Sequence, residues 1–362
     1  MKLWTFELRK ILITRKVLLV FLAALVLRTI FLFFFPELKD ERIRLTQKQY
    51  NAFLMELQGE NNPDKEQFVR SSYEKCREVT ECFAEMQDMH ENRLITEEVW
   101  QKYTLEYEEA MLSRNALSIF YEKEEAFRKQ PKTLKPAHYF YEYGWQTVFT
   151  LQLYPDLFLL AAVLALSCAA YLPEKAGGML MILFASRFGR ERLFFIKLSA
   201  VMTAALGMML AGSITEVLVF YFRGFLKGGT VPMHSLTLFS ENRTFDLSLN
   251  EAYLLTLTVR TVSAVLFSGL VCALSLLLFR PETVLFAALS LLLLPLFLIP
   301  EGTAESLCSY GVQLSGSRML RTAGTAGYSI LPPLLITALY TSAVILTAVF
   351  AMQTGRIRIK QN

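Results

Sequence analysis

Val17 to Phe35 is a run of nineteen residues whose only charge is Arg28. As a helix rising about 1.5 Å per residue, such a run spans the ~30 Å hydrocarbon core of a bilayer. Five further apolar blocks follow at 150–172, 194–222, 254–279, 284–299 and 330–352, the fifth span (284–299) being short and interrupted by Pro295. Soluble helices and strands interleave apolar with polar residues at periods of about 3.6 and 2. Contiguous blocks leave no polar face, so the predicted class is an all-α integral membrane protein with six transmembrane helices. Composition alone would not decide it. A hydrophobic share of 53% is only slightly above that of an ordinary domain.

The first sixteen residues carry Lys2, Arg9, Lys10, Arg15 and Lys16 against Glu7, with Leu3, Trp4, Phe6, Leu8, Ile11 and Leu12 between them. That pattern predicts an amphipathic helix on the membrane surface. A basic start before an apolar run also opens a signal peptide. The run is long, however, and no small-residue cleavage site follows, so it reads as an uncleaved first span. Arg28 lies about two-thirds of the way along this span. It is a candidate intramembrane polar residue, expected to snorkel outward or to face another span.

Residues 36–149 are rich in Glu, Lys, Arg and Gln and contain no membrane-length apolar run. Tyr50, Phe53, Leu54 and Leu57, then Phe68, Tyr73, Val79, Phe83 and Met86, then Val99, Trp100, Tyr103, Tyr107 and Met111 recur at helical spacing. Gly59 to Pro63 reads as a helix stop with an N-cap at Asn62 or Asp64, and Thr96 starts another helix. The expectation is a compact insert of about three helices, a large helical domain between spans 1 and 2, serving as a structural cap or as a contact surface. Cys76 and Cys82, six residues apart, point to different helix faces, so bridging them needs a helix break. His138 to Trp145 (HYFYEYGW) reads as an aromatic girdle at the headgroup layer before span 2.

Glu216, within span 3 (194–222), is the second candidate intramembrane polar residue. It lies about 28 Å along the helix from Lys197, near the far interface, with Arg223 two turns on along the same face. Residues 223–253 form a polar loop, and 300–329 a Gly/Ser/Thr-rich outer or re-entrant segment. The head (1–16), the 173–193 loop with Lys197, Arg280 and the 353–362 tail carry fourteen Lys/Arg on one side; the two shorter loops opposite carry Arg223, Lys227, Arg243, Arg318 and Arg321. By the positive-inside rule the N and C termini are cytosolic and the helical insert is extracytoplasmic.

Catalytic signals are absent from the sequence. There is no GxxxxGK[ST] loop, the three histidines are scattered, and no Cys/His spacing suits zinc. No basic module suits nucleic acid, and no span carries the repeated acids of a proton-driven pump. The segment 171–197 stands apart from ordinary loops. Glu174, Gly177 and Gly178 lead into a short apolar run from Met179 to Ala185 containing Leu180, Ile182 and Leu183; Ser186, Arg187, Arg190 and Lys197 then close it.

With the basic head ELRKILITRK and six spans, this segment resembles the membrane subunit of the ABC-2 type (type-2 exporter) family of ABC transporters. The head is similar to that family's elbow helix, and the loop to its coupling helix. The resemblance covers nearly all of the chain outside the 37–135 insert. It implies a permease in the cell membrane, specifically the bacterial plasma membrane. An ABC ATPase subunit dimer carrying ATP-Mg would dock on Glu174, Gly177, Gly178, Met179, Leu180, Ile182, Leu183, Ser186, Arg187 and Arg190. A second permease chain, identical or related, would complete the pathway among membrane lipids. It further implies no cofactor on this chain and export of a peptide, antibiotic, lipid or other amphipathic compound. The alternative is a membrane sensor or assembly factor whose outer helical domain binds a ligand or partner.

Overall fold

The computed structural model describes residues 2–131, 133–177, 179, 189–278, 280–300 and 303–353. The chain is mostly helical, and among the described residues six helices are long and apolar enough to cross a membrane. It divides into two compact units. The first comprises residues 1–36, 148–225 and 251–362, and the second 37–147 and 226–250.

In the first unit, α1 (Lys2–Arg9) runs into a π-helical turn at Lys10–Thr14. Lys16 then adopts a left-handed conformation (φ 58°), and α2 (Val17–Phe34) starts in a new direction. Beyond Gln152 the chain does not go straight into a span. Pro155 and Asp156 form a break, and Asp156 caps α8 (Leu157–Ala169), accepting the amides of Phe158 and Leu159 at 3.2 Å each. The span beginning expected at 150 therefore falls at 157, because a capping carboxylate beside a proline starts helices rather than continuing them. After a kink at 170–171 the short α9 (Leu172–Ala176) completes this apolar segment.

The next helix, α10 (Gly189–Phe222), has 34 residues, about 51 Å of helix. Behind it come α11 (Leu249–Leu277), α12 (Pro281–Leu298) and α16 (Leu331–Gln353). The most apolar window of α11 is 72% buried, against 17% for α12 and α16, so α11 lies inside the bundle and the other two present most of their side chains outward. Phe21, Leu159, Val163, Phe194, Val201, Phe267 and Leu270 belong to the shared core.

The segment 300–329, where a surface or re-entrant helix was expected, holds three short helices: α13 (Ala304–Leu307), α14 (Tyr310–Leu314) and α15 (Ser317–Ala326). All five α14 residues are buried. Gln313 is fully enclosed, donating to Thr337 Oγ1 (2.6 Å) and Leu307 O (2.9 Å) and accepting from Ser263 Oγ (3.1 Å). A polar side chain satisfied on three sides fixes the segment between α11 and α16. Gly311 meets α12 so closely that an added Cβ would run into the Leu292 carbonyl oxygen, which is backbone and cannot rotate away. Gly311→Ala is therefore expected to destabilise by about 1–3 kcal/mol. Gly207→Ala, in α10 with nothing within 4 Å of the new methyl, should be neutral or stabilising by up to ~1 kcal/mol. Denaturant titration of the two variants checks the contrast.

The second unit contains α3 (Glu41–Leu57), α4 (Pro63–Glu81), α5 (Phe83–Glu91), α6 (Glu97–Arg128) and α7 (Tyr143–Leu151), whose last residues belong to the first unit. Asn62 caps α4, accepting the Lys65 amide at 2.9 Å with Pro63 at the first helical position. Gly59–Glu60 (β1) pairs antiparallel with His138–Tyr139 (β2), Gly59 opposite Tyr139. Ile43, Tyr50, Leu57, Val69, Phe120, Tyr139 and Tyr143 form the core.

The aromatic cluster at 138–145 is thus not a headgroup girdle. Tyr139, Tyr143 and Trp145 are buried, and the Trp145 indole donates to Lys227 O at 2.8 Å. Tyrosine and tryptophan suit a headgroup layer and a protein core alike, since each needs one polar partner at its edge. At the far end of the α5–α6 hairpin, α5 has no buried residue. Ring stacking of Phe83 on Tyr107 (4.0 Å between centroids) and of His90 on Trp100 (4.7 Å) holds it instead. Cys76 and Cys82 are both free thiols.

Candidate functional site

Two buried charge networks lie within the first unit. One is centred on Glu216 of α10, 3% exposed. Arg28 of α2, 2% exposed, donates its Nε to Asp156 and one terminal nitrogen to Glu216; its other terminal nitrogen reaches Gly212 O at 2.8 Å. Arg260 of α11 donates to the Glu216 carboxylate at 3.1 and 3.3 Å and approaches Asp156 Oδ2 at 3.5 Å. Gln152 donates to Glu216 Oε1 at 2.6 Å, Tyr253 to the same oxygen at 3.3 Å, and Thr256 to Gln152 Oε1 at 2.8 Å.

Two guanidinium groups and two carboxylates thus neutralise one another across α2, the 152–156 turn, α10 and α11. Buried charge is tolerable only when paired and hydrogen-bonded in this way. Gly316, at φ 37°, lies against the Arg260 side chain, where an added Cβ would come within 2.9 Å of its Cδ. The glycine at this turn therefore makes room for Arg260. Above these charges opens a cavity of about 490 Å³ with Phe31, Phe35, Tyr154, Phe158 and Phe220 among its walls. Arg260 Nε is buried without a hydrogen-bond partner among the described residues.

The second network ties the start of the 171–197 segment to the chain's head. Glu174, 2% exposed, accepts from Lys10 Nζ at 2.5 Å and pairs with Lys197 Nζ at 2.6 Å. Lys197, fully buried, also donates to Ala170 O at 3.0 Å and lies 3.4 Å from Glu7. Beside it, Lys175 Nζ donates to the carbonyls of Ser275 (3.1 Å), Leu276 (2.6 Å) and Leu278 (2.6 Å) at the C-terminal end of α11. A cation there satisfies carbonyls that the helix leaves open and complements its dipole. Two successive residues, Glu174 and Lys175, thus connect the head, α10 and α11.

Of the predicted docking residues, Gly178, Leu180, Ile182, Leu183, Ser186 and Arg187 lie outside the described residues. Met179 is 55% exposed, Gly177 forms the turn after α9, and Arg190 begins α10. Glu174 is not a surface contact: its carboxylate is enclosed between two lysines. Arg28 and Glu216 come together directly. Arg223, two turns beyond Glu216, donates to Leu32 O at 2.8 Å and stacks over Phe225 at 4.2 Å.

Sequence reasoning did not assign Asp156, Arg260, Gln152, Lys175, Glu7 or Lys10 to either network. The available signal was charge balance, since two arginines and two acids inside apolar blocks invite pairing. Among the described residues no group of His, Cys, Asp and Glu is arranged to hold a metal. Compared with protein-family models, curated proteins and solved structures, the chain matches none.

Proposed function

We propose that the chain is the membrane-spanning permease subunit of an ABC exporter of the ABC-2 type. It would work beside a second permease chain and take its energy from a separate ATPase dimer carrying ATP-Mg. The observation that carries this reading is the Glu174 junction. The segment that would receive an ATPase begins at a residue ion-paired to both the head helix and α10, and Lys175 beside it holds the end of α11. A displacement of residues 177–189 would then move these helices together rather than bend a slack loop. Glu174 thereby becomes a positioning residue, and the ATPase contact falls to the Met179–Arg190 stretch.

In this reading the termini are cytosolic, the second unit is extracytoplasmic, and the membrane is the bacterial plasma membrane. The cavity over the Glu216 network, aromatic-walled with a neutralised polar floor, suits an amphipathic cargo. A second reading, a membrane sensor or assembly factor, draws on a polar cavity in the second unit described below. The deciding experiment is affinity purification from native membranes followed by reconstitution. The permease reading expects a co-purifying ATPase whose hydrolysis responds to Arg187→Ala or to replacement of Gly178. A chain that purifies stably without any ATPase, or coupling unchanged in both variants, would overturn it.

A further inference from the structure

A cavity of about 260 Å³ lies wholly within the second unit, between the start of α3, α6, α7 and the turns at 235–240. Six charged side chains line it: Lys39, Arg42 and Lys123 against Asp40, Glu122 and Glu142. Two of them are deeply buried, Lys123 at 5% and Glu142 at 2% exposure. Glu142 is well satisfied. It accepts the Thr237 amide at 3.1 Å and the Thr237 hydroxyl at 3.1 and 3.2 Å, and lies 2.8 Å from Lys123 Nζ.

Lys123 is different. Its ammonium is held by that ion pair and lies 5.8 Å from the Phe140 ring centre, with no further hydrogen-bond acceptor among the described residues. An ammonium has three protons to donate; Glu142 at 2.8 Å can take one, and leaving the others without acceptors in a buried site costs free energy. Such a group lining an open cavity fits an oxygen ligand from outside the protein.

At another part of the wall the charges are acidic but fixed. Arg42 binds Glu122 at 2.6 and 2.9 Å and Asp40 at 2.8 Å. Hydrogen bonding to Arg42 holds the Asp40 carboxyl below the usual carboxylate range. Glu122, 60% exposed, keeps lone pairs free beyond those used by Arg42, so it can accept from a cation. Three cations and three anions around one cavity leave no net charge to favour a simple anion or a simple cation. A molecule carrying both signs meets both walls.

We propose that the second unit binds a small zwitterion of the amino-acid or dipeptide class in this cavity, its carboxylate on the Lys123 ammonium and its ammonium toward Glu122. The volume suits one or two residues, just below the usual range of about 300–1,000 Å³ for drug-sized ligands. Gln146, Ser235 and Ser240 supply neutral polar edges. This assignment does not depend on the exporter reading, since a sensor and an exporter could each carry the site.

The test is isothermal titration of the full-length protein in nanodiscs with L-alanine, L-alanyl-L-alanine, acetate and ethylammonium. Saturable binding of alanine or alanyl-alanine is expected, with acetate and ethylammonium at least about tenfold weaker, as loss of one charge-assisted hydrogen bond implies. Preference between the two zwitterions separates a free amino acid from a peptide. Lys123→Met and Glu122→Gln should each weaken binding by roughly ten- to a hundredfold. Glu122 is exposed, so Glu122→Gln decides the matter if Lys123→Met fails to fold. No binding of either zwitterion at 10 mM (about 2.7 kcal/mol of binding free energy at most), equal binding of acetate, or affinity unchanged in Glu122→Gln would overturn the proposal.

Discussion

Glu216→Gln is expected to destabilise the protein by about 3–5 kcal/mol, the usual cost of leaving a buried charge without its partner. The substitution keeps shape and volume, so the loss reports charge rather than packing. It leaves Arg28 and Arg260 sharing Asp156 alone, which also caps α8. The sign of a second substitution makes the test sharp. Arg28→Gln with Glu216→Gln removes one charge of each sign and leaves Arg260 beside Asp156, a neutral remainder. The double variant should therefore be more stable than Glu216→Gln alone, although two native residues are gone. Unfolding by SDS titration from mixed micelles reads both, and raising salt should change little because the pairs are enclosed. A double variant worse than either single would mean that the four side chains do not act as one network.

The six spans were legible because each is a contiguous apolar block, a pattern that no water-facing helix shares. Their ends were less so. Asp156 and Pro155 sit inside an apolar stretch, and only the cap geometry shows that they end one element and begin another. The aromatics from His138 to Trp145 misled for a physical reason, since the same amphipathic rings serve a headgroup layer and a core.

Pairing was the least readable feature. Along the helix Glu216 has Arg223 two turns away, but its guanidinium partners lie 188 and 44 residues distant in the chain, at Arg28 and Arg260. Nothing local encodes that choice. It follows from α2 and α11 both facing α10. The head helix behaves alike: Glu7 and Lys10 look like ordinary members of a basic amphipathic stretch until Lys197 and Glu174 are seen beside them.

Lys197→Met should be as costly as Glu216→Gln, again about 3–5 kcal/mol, but its loss should be felt first at the head. Lys197 is fully buried and draws together Glu174 at 2.6 Å, Glu7 at 3.4 Å and Ala170 O at 3.0 Å. Without it Glu174 keeps Lys10, while Glu7 loses its cation partner among the described residues. The strain can relax by releasing α1, because Glu7 and Lys10 both lie at the head and the helix has few other buried anchors, Ile11 chief among them. Unwinding of the head would give trypsin access to the backbone at Arg9, Lys10, Arg15 and Lys16. If local opening becomes easier by about 3 kcal/mol, cleavage there should accelerate by roughly a hundredfold under conditions where the rest of the chain resists. Adding Glu7→Gln restores charge balance and should return most of the protection. A lowered global midpoint with unchanged cleavage at the head would assign Lys197 to the bundle core alone and detach the head helix from the segment after α9. The Glu174 junction would then no longer link head to spans, and the mechanical argument for coupling through it would fail with it.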